Sequence, residues 1–295
     1  MLINLQEILS MAEKTNSAIG SYNVYNLETI LAIKEAANLT KQPAIIAFGE
    51  SYISHSPIKV ISNIVHTLFE DSSIPIALHL DHAKDFDIIA QAIDCGFTSV
   101  MYDGSRLPLT ENIDNTKKII ELAHYNNVSV EGELGYLNNE DGSGHISQNY
   151  TSIDDAINYT QSTQVDALAI AIGNAHGLYK SKPNLNFKQL IKLNHVTPCP
   201  LVLHGSSGIS NNDLIKAITL GIRKFNINTE ISTTAVQATR EFLASNPFDI
   251  NPNLRFENVL KNARLEMTNK IIEYMKIFAN KYSGIKSRNF FNKFS

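Results

Sequence analysis

Short apolar runs and longer amphipathic stretches alternate along nearly the whole chain, and this rhythm constrains the fold more than any other feature. Eight runs have the continuous apolar character of parallel strands buried on both faces: Ala18–Val24, Pro43–Phe48, Ile74–Leu80, Ser99–Met101, Ser129–Leu134, Ala167–Ile172, Leu201–His204 and Lys224–Ile227. Helical spacing fills the intervals. Glu28–Leu39 sets Ile30, Leu31, Ile33 and Ala37 on one side, and Asn112–Asn126 carries Ile113, Ile119, Ile120, Leu122 and Ala123. Phe86–Cys95 and Asn211–Leu220 each stop at a glycine, Gly96 and Gly221. Eight strand–helix units predict an α/β fold, a (β/α)8 barrel of the TIM-barrel type, with a doubly wound open sheet as the alternative.

At 295 residues the chain is long for one ordinary domain and normal for such a barrel. No linker rich in Pro, Gly or Ser divides it. Residues 1–280 are expected to form a single domain, followed over 281–295 by a basic tail with Lys281, Lys286, Arg288 and Lys293 and no acid. Apolar residues make up 43%, enough for a sizeable core. A net charge of −4 gives no reason to expect nucleic acid or a membrane surface as partner. Cys95 and Cys199 form no CxxC pair, which suits free thiols in a reducing compartment. Met1 to Thr15 reads as an amphipathic helix and lacks the regions of a signal peptide, so a cytoplasmic location is expected. No apolar run reaches membrane-spanning length.

The predicted strands end in chemistry. Ala77-Leu78-His79-Leu80-Asp81-His82 closes an apolar run with a carboxylate flanked by imidazoles, and burying such groups without partners costs several kcal/mol. His176 follows strand six and His204 ends strand seven. Barrel enzymes carry their chemistry at the C-terminal ends of the strands. Three imidazoles gathered there suit a catalytic zinc with an open fourth position, and Asp81 beside them suits an acid/base. Asp103 follows strand four, and Glu131 and Glu133 share one face of strand five. His55, His66, His124 and His195 read as surface residues, His79 as a structural residue behind the site, and His145 stays open.

The glycines are the second signal. His204-Gly205-Ser206-Ser207-Gly208 follows strand seven and Asn226-Ile227-Asn228-Thr229 ends strand eight, where barrels commonly cradle a phosphate on backbone N–H groups. The least regular stretch, Tyr136–Thr151, is long for a βα loop, and such loops are more often functional than decorative.

These blocks resemble the class II, metal-dependent ketose-bisphosphate aldolases: LHLDH at 78–82, YDGS at 102–105, VEGELG at 130–135, AIGNAHGLY at 171–179, PLVLHGSSGI at 200–209 and NINTE at 226–230. The likeness runs from near residue 18 to about 270. It implies Asp81 as catalytic acid/base and His82, His176 and His204 as zinc ligands. It implies Gly177, Gly205, Ser206, Ser207, Asn226, Ile227, Asn228 and Thr229 as the binding site of the dihydroxyacetone phosphate half. Asp103 and Glu133 match second or alternative metal positions, for a further divalent or monovalent cation, and Asn23 and Ser51 match substrate-contacting residues. A homodimer or homotetramer acting on a small sugar bisphosphate is the implied assembly. One departure is Asn138-Asn139-Glu140-Asp141-Gly142, where many relatives read Gly-Gly before Glu-Asp-Gly. The absence of a long insertion between strands seven and eight matches the subgroup that contains both fructose and tagatose enzymes.

The implied reaction is reversible cleavage of fructose 1,6-bisphosphate, or next tagatose 1,6-bisphosphate, to dihydroxyacetone phosphate and glyceraldehyde 3-phosphate. No predicted strand ends in a Schiff-base lysine; Lys84 and Lys180 lie in loops. Two alternatives stand beside it: another metal-dependent barrel lyase or epimerase, and a catalytically inactive sugar-phosphate-binding protein. An epimerase needs two opposed acid/base groups, and only Asp81 is so placed; an inactive binder would be free to lose one of Asp81, His82, His176 or His204.

Overall fold

Eight parallel strands close on themselves in chain order: β1 (Ile19–Asn23), β2 (Ala44–Gly49), β3 (Ile76–Ala83), β4 (Ser99–Tyr102), β5 (Ser129–Leu134), β6 (Ala167–Ile170), β7 (Leu201–Leu203) and β8 (Ile222–Ile227). The expected barrel is therefore present and the open sheet is excluded, because β8 pairs with β1. This is a computed structural model, and it describes residues 1–135, 150–177, 179 and 183–279. The loop residues Glu140, Asp141 and His145 and the basic tail lie outside the described residues.

Helices return the chain between strands: α1 (Leu5–Thr15) before β1, α2 (Leu27–Thr40), α3 (Ile58–Phe69), α4 (Phe86–Asp94), α5 (Leu109–Tyr125), α6 (Ile153–Thr163), α7 (Phe187–Val196) and α8 (Asn211–Thr219) between strands, then α9 (Thr229–Ser245) and α10 (Phe256–Phe278) after β8. Among the described residues no helix is long and apolar enough to cross a membrane. Strand residues alternate between two cores. Ile76, Leu78 and Leu80 of β3 pack outward among the helices. Ala77 points into the barrel with Ile19, Ile45, Met101, Ala167, Ala169 and Val202.

The N-terminal opening of the barrel is sealed by α1. Leu5, Ile8, Leu9 and Ala12 are fully buried against that inner set. Asn4 caps the helix by accepting from Glu7 N, and Glu7 Oε2 accepts from Asn4 N. Ile3 N donates to Ile76 O and Gln6 N to Ser129 Oγ, which ties the helix to β3 and β5.

Two strand ends differ from the sequence reading for identifiable reasons. β3 runs on to Ala83, because pairing with β4 resumes at Ala83–Tyr102 after a register shift, so Asp81 and His82 belong to the strand. β6 stops at Ile170 because Ala171 N is taken by Thr151 Oγ1 and Ile172 N by Asn174 Oδ1.

Candidate active site

At the C-terminal mouth a cavity of about 370 Å³ is lined by residues from six strand ends and the loops that follow them, a size suited to a small ligand. Asp81 is its anionic centre. Asn23 Nδ2 donates to Asp81 Oδ2 at 2.9 Å and Asn226 Nδ2 to Oδ1 at 3.0 Å, so amides from β1 and β8 fix the carboxylate. Burial works to raise its pKa, but the neighbouring His82, His204 and Lys224 outweigh burial and hold it well below the usual carboxylate range.

His82 sits at the register shift with φ 52°, a left-handed conformation uncommon outside glycine. Such strain costs of order 1–3 kcal/mol and concentrates at functional sites. The conformation turns the ring so that Nδ1 faces Asp103 Oδ2 at 3.5 Å and Glu133 Oε2 at 3.6 Å, while Nε2 lies 2.9 Å from His204 Nδ1. His204 Nε2 meets Glu131 Oε1 at 2.8 Å, and Lys224 Nζ donates to Glu131 Oε2 at 2.7 Å. Burial pushes Glu131 up, but Lys224 and the two imidazoles outweigh it and bring the carboxyl down to about 2. An ionised Glu131 keeps the His204 proton on Nε2 and leaves Nδ1 as a lone pair.

This donor set fits a divalent cation. Two ring nitrogens converge at 2.9 Å, and ligand atoms of Asp81, His82 and His204 lie within 4.8 Å of one another. Burial lowers His204 and takes His176 down to about 3, which favours the neutral form that binds metal. Burial also lowers His82, but Asp81, Asp103 and Glu133 raise it to about 9; a proton there occupies the gap that a cation would fill. His176 stands further out, its ring 4.9 Å from that of His82 and 6.3 Å from that of His204. A second group, His82, Asp103 and Glu133, shares the rim. Glu133 is raised to about 8 by burial, and its Oε2 has no hydrogen-bond partner, as an unfilled ligand position would leave it.

Opposite, Gly177, Gly205, Ser207, Asn228 and Thr229 line the wall supplied by the loops after β6, β7 and β8. Gly205 has φ 59°, and a Cβ there would lie 2.0 Å from Ala175 O, so only glycine lets this loop pack against the one before it. Tyr179 donates to Gly205 O and accepts from Ala175 N, and Asn174 Nδ2 donates to His204 O, which locks the two loops together. Asn23, Ser51 and Asn226, which the resemblance implies as substrate-contacting, also line the cavity. Two residues of the predicted phosphate site are turned away. Ser206 is fully buried, donates its Oγ to Leu203 O and spends its N–H on Asn226 O; Ile227 packs among the helix-side core residues.

Sequence reasoning missed two features. Gly49, Glu50 and Tyr52 line the cavity, and Tyr52 Oη accepts from Asn228 Nδ2 at 2.9 Å. Lys224 is fully buried inside the barrel, and its only local signal was its place two residues before Asn226. His79 is fully buried beside it, hydrogen-bonded to Ser99, which fits its structural reading.

The family model described as fructose-bisphosphate aldolase class-II matches residues 3–282. A Bacillus subtilis (strain 168) protein named "Probable fructose-bisphosphate aldolase" is 37% identical over 286 residues, 95% of this chain and 98% of its own length. The 6-phospho-5-dehydro-2-deoxy-D-gluconate aldolase of Bacillus licheniformis is 41% identical over 250 residues, 83% of this chain and 85% of that one. The crystal structure of the YdjI aldolase from Escherichia coli K12 superimposes with a TM-score of 0.84 at 33% identity, covering 94% of this chain and 97% of that one. On a match of this extent, with the barrel and its strand-end cluster agreeing, the chain belongs to the class II fructose-bisphosphate aldolase family.

Proposed function

We propose that the protein catalyses reversible, zinc-dependent aldol cleavage of a ketohexose 1,6-bisphosphate, fructose before tagatose, giving dihydroxyacetone phosphate and glyceraldehyde 3-phosphate. The observation that carries this reading is the Asp81 carboxylate, aimed by two amides and set beside the His82–His204 nitrogen pair. His82 and His204, with His176 drawn inward, would hold the metal, and Asp103 and Glu133 offer an alternative position beside His82. A zinc ion there supplies Lewis-acid polarisation of the substrate's ketone. Asp81 takes the C4 hydroxyl proton as the C3–C4 bond breaks and returns it in the condensation direction. Asn23 and Asn226 keep the carboxylate oriented through both steps. The backbone of Gly205 and the residues at Asn228 and Thr229 grip the phosphate of the dihydroxyacetone half.

A second substrate has a specific observation in its favour: the relative at 41% identity is named for a deoxygluconate phosphate. That compound carries a carboxylate where the hexose bisphosphate carries its second phosphate. Cleavage by the same chemistry would give dihydroxyacetone phosphate and a three-carbon aldehyde acid.

Cleavage of the three substrates, assayed side by side before and after chelation, tests both readings. Chelation should abolish the activity and zinc should restore it. Full activity in metal-free protein, or a substrate adduct trapped by borohydride, would overturn the metal-dependent mechanism.

A further inference from the structure

The barrel closes in chain order, so the end of β3 stands across the mouth from the ends of β7 and β8. One wall of the cavity holds the uncharged Gly205, Ser207, Asn228 and Thr229; the other holds Lys84, directly after β3. Lys84 is the only lysine or arginine among the described residues that line the cavity. Its main chain is fixed, because its N–H donates to Glu50 Oε2 at 2.7 Å. Its side chain is not: it is 59% exposed and lies 4.0 Å from Asp103 Oδ2. An exposed ion pair at that separation holds an ammonium weakly. Asp103 has nearer partners in Ser105 Oγ at 2.6 Å and His82 Nδ1 at 3.5 Å. The ammonium is therefore free to turn into the mouth at small cost.

We propose that Lys84 is a specificity-determining residue: it pairs with an anion at the end of the substrate remote from the phosphate wall. The substrate class is then an open-chain ketose phosphate anionic at both ends, with a phosphate or a carboxylate on the aldehyde half. The inference rests on the aldolase reading above. Uncharged backbone and hydroxyl groups on one side and a mobile cation on the other would orient such a molecule, with its central carbons over Asp81.

The test runs in the condensation direction, with dihydroxyacetone phosphate and three aldehydes: glyceraldehyde 3-phosphate, the three-carbon aldehyde acid, and uncharged glyceraldehyde. The readout is selectivity, the kcat/KM for each charged aldehyde divided by that for glyceraldehyde. In the wild type at least one charged aldehyde should be preferred, and which one it is tells phosphate from carboxylate. Lys84→Met should lower that selectivity about tenfold to a hundredfold, the worth of one hydrogen bond between charged groups, and Lys84→Arg should recover most of it. A structural role would shift all three aldehydes together. Wild-type indifference to aldehyde charge, or unchanged selectivity in Lys84→Met, overturns the proposal for Lys84 while leaving the aldolase reading intact. If the wild type condenses none of the three, the aldolase reading falls and this proposal with it.

Discussion

The two ends of the barrel are built from the same strands and obey opposite rules. At the N-terminal end, Ile19, Ile45, Ala77, Met101, Ala167 and Val202 meet Leu5, Ile8, Leu9 and Ala12 of α1 in an apolar cluster. Fully burying each of the larger side chains contributes about 1.5–3 kcal/mol. At the C-terminal end, Asn23, Asp81, His204 and Asn226 are also buried, but polar: both amides donate to the Asp81 carboxylate, and Asn226 also meets His204 Nδ1. A single strand crosses from one regime to the other: β3 points Ala77 into the floor, His79 into the middle and Asp81 into the mouth. Stability is concentrated at the floor and chemistry at the mouth. Between them, Lys224 and Glu131 form an ion pair with both side chains fully buried.

The sharpest way to break this division is at the mouth. Asp81→Asn keeps the shape of the side chain but removes its ability to take a proton. We expect kcat to fall about 10²–10⁴-fold, with the capacity to bind zinc, the metal proposed above, retained and thermal stability little changed. Zinc stoichiometry and kcat measured on one preparation decide it. Loss of zinc together with activity would make Asp81 a ligand and not the acid/base.

The middle layer should respond in both currencies. Lys224→Met strands the Glu131 carboxylate in the barrel, and breaking a buried pair on one side costs about 3–5 kcal/mol. An unneutralised Glu131 is driven to take up a proton, and a neutral carboxyl no longer forces the His204 proton onto Nε2. Metal affinity, read by competition with a chelator, should therefore drop about 10–100-fold. The double variant Lys224→Met with Glu131→Gln restores a neutral acceptor and should recover much of the stability. Unchanged metal affinity in a folded Lys224→Met protein would confine the pair to a structural role.

The mouth was far more legible in the sequence than the middle. Asp81 and His82 stand out because ionisable groups interrupt an apolar run, and the Gly205 turn stands out by composition. Strand alternation also puts Lys224 on the inner face with Asn226, but nothing local reveals its partner, which lies 93 residues away on β5. Tyr52 and Glu50 escaped notice because β2 ends in Phe48-Gly49 without an ionisable group to mark its mouth. Ser206 and Ile227 were swept in with their loops, although alternation alone aims Ile227 at the helices. At the floor, the amphipathic face of α1 is plain in the sequence; that it seals the barrel is a property of the closed structure, since its partners come from six different strands.

The smallest effect tests the comparison from the floor. Asn4 caps α1 by a reciprocal pair of hydrogen bonds with Glu7, 2.9 and 3.0 Å long. Replacing it by alanine strands the Glu7 N–H at the first turn, which typically costs about 1 kcal/mol. The loss should not exceed about 2 kcal/mol, because the helix keeps its ties from Ile3 N to Ile76 O and from Gln6 N to Ser129 Oγ, and its apolar face stays buried. Denaturant titration should show a lower midpoint at an unchanged slope, the sign that stability moved while the surface exposed on unfolding did not. Since α1 reaches the mouth only through the strands it seals, kcat and KM of the folded fraction should stay at wild-type values. A change in KM at undiminished stability would mean that the floor sets the positions of Asn23 and Asp81, and the two ends of the barrel would then have to be treated as one mechanical unit.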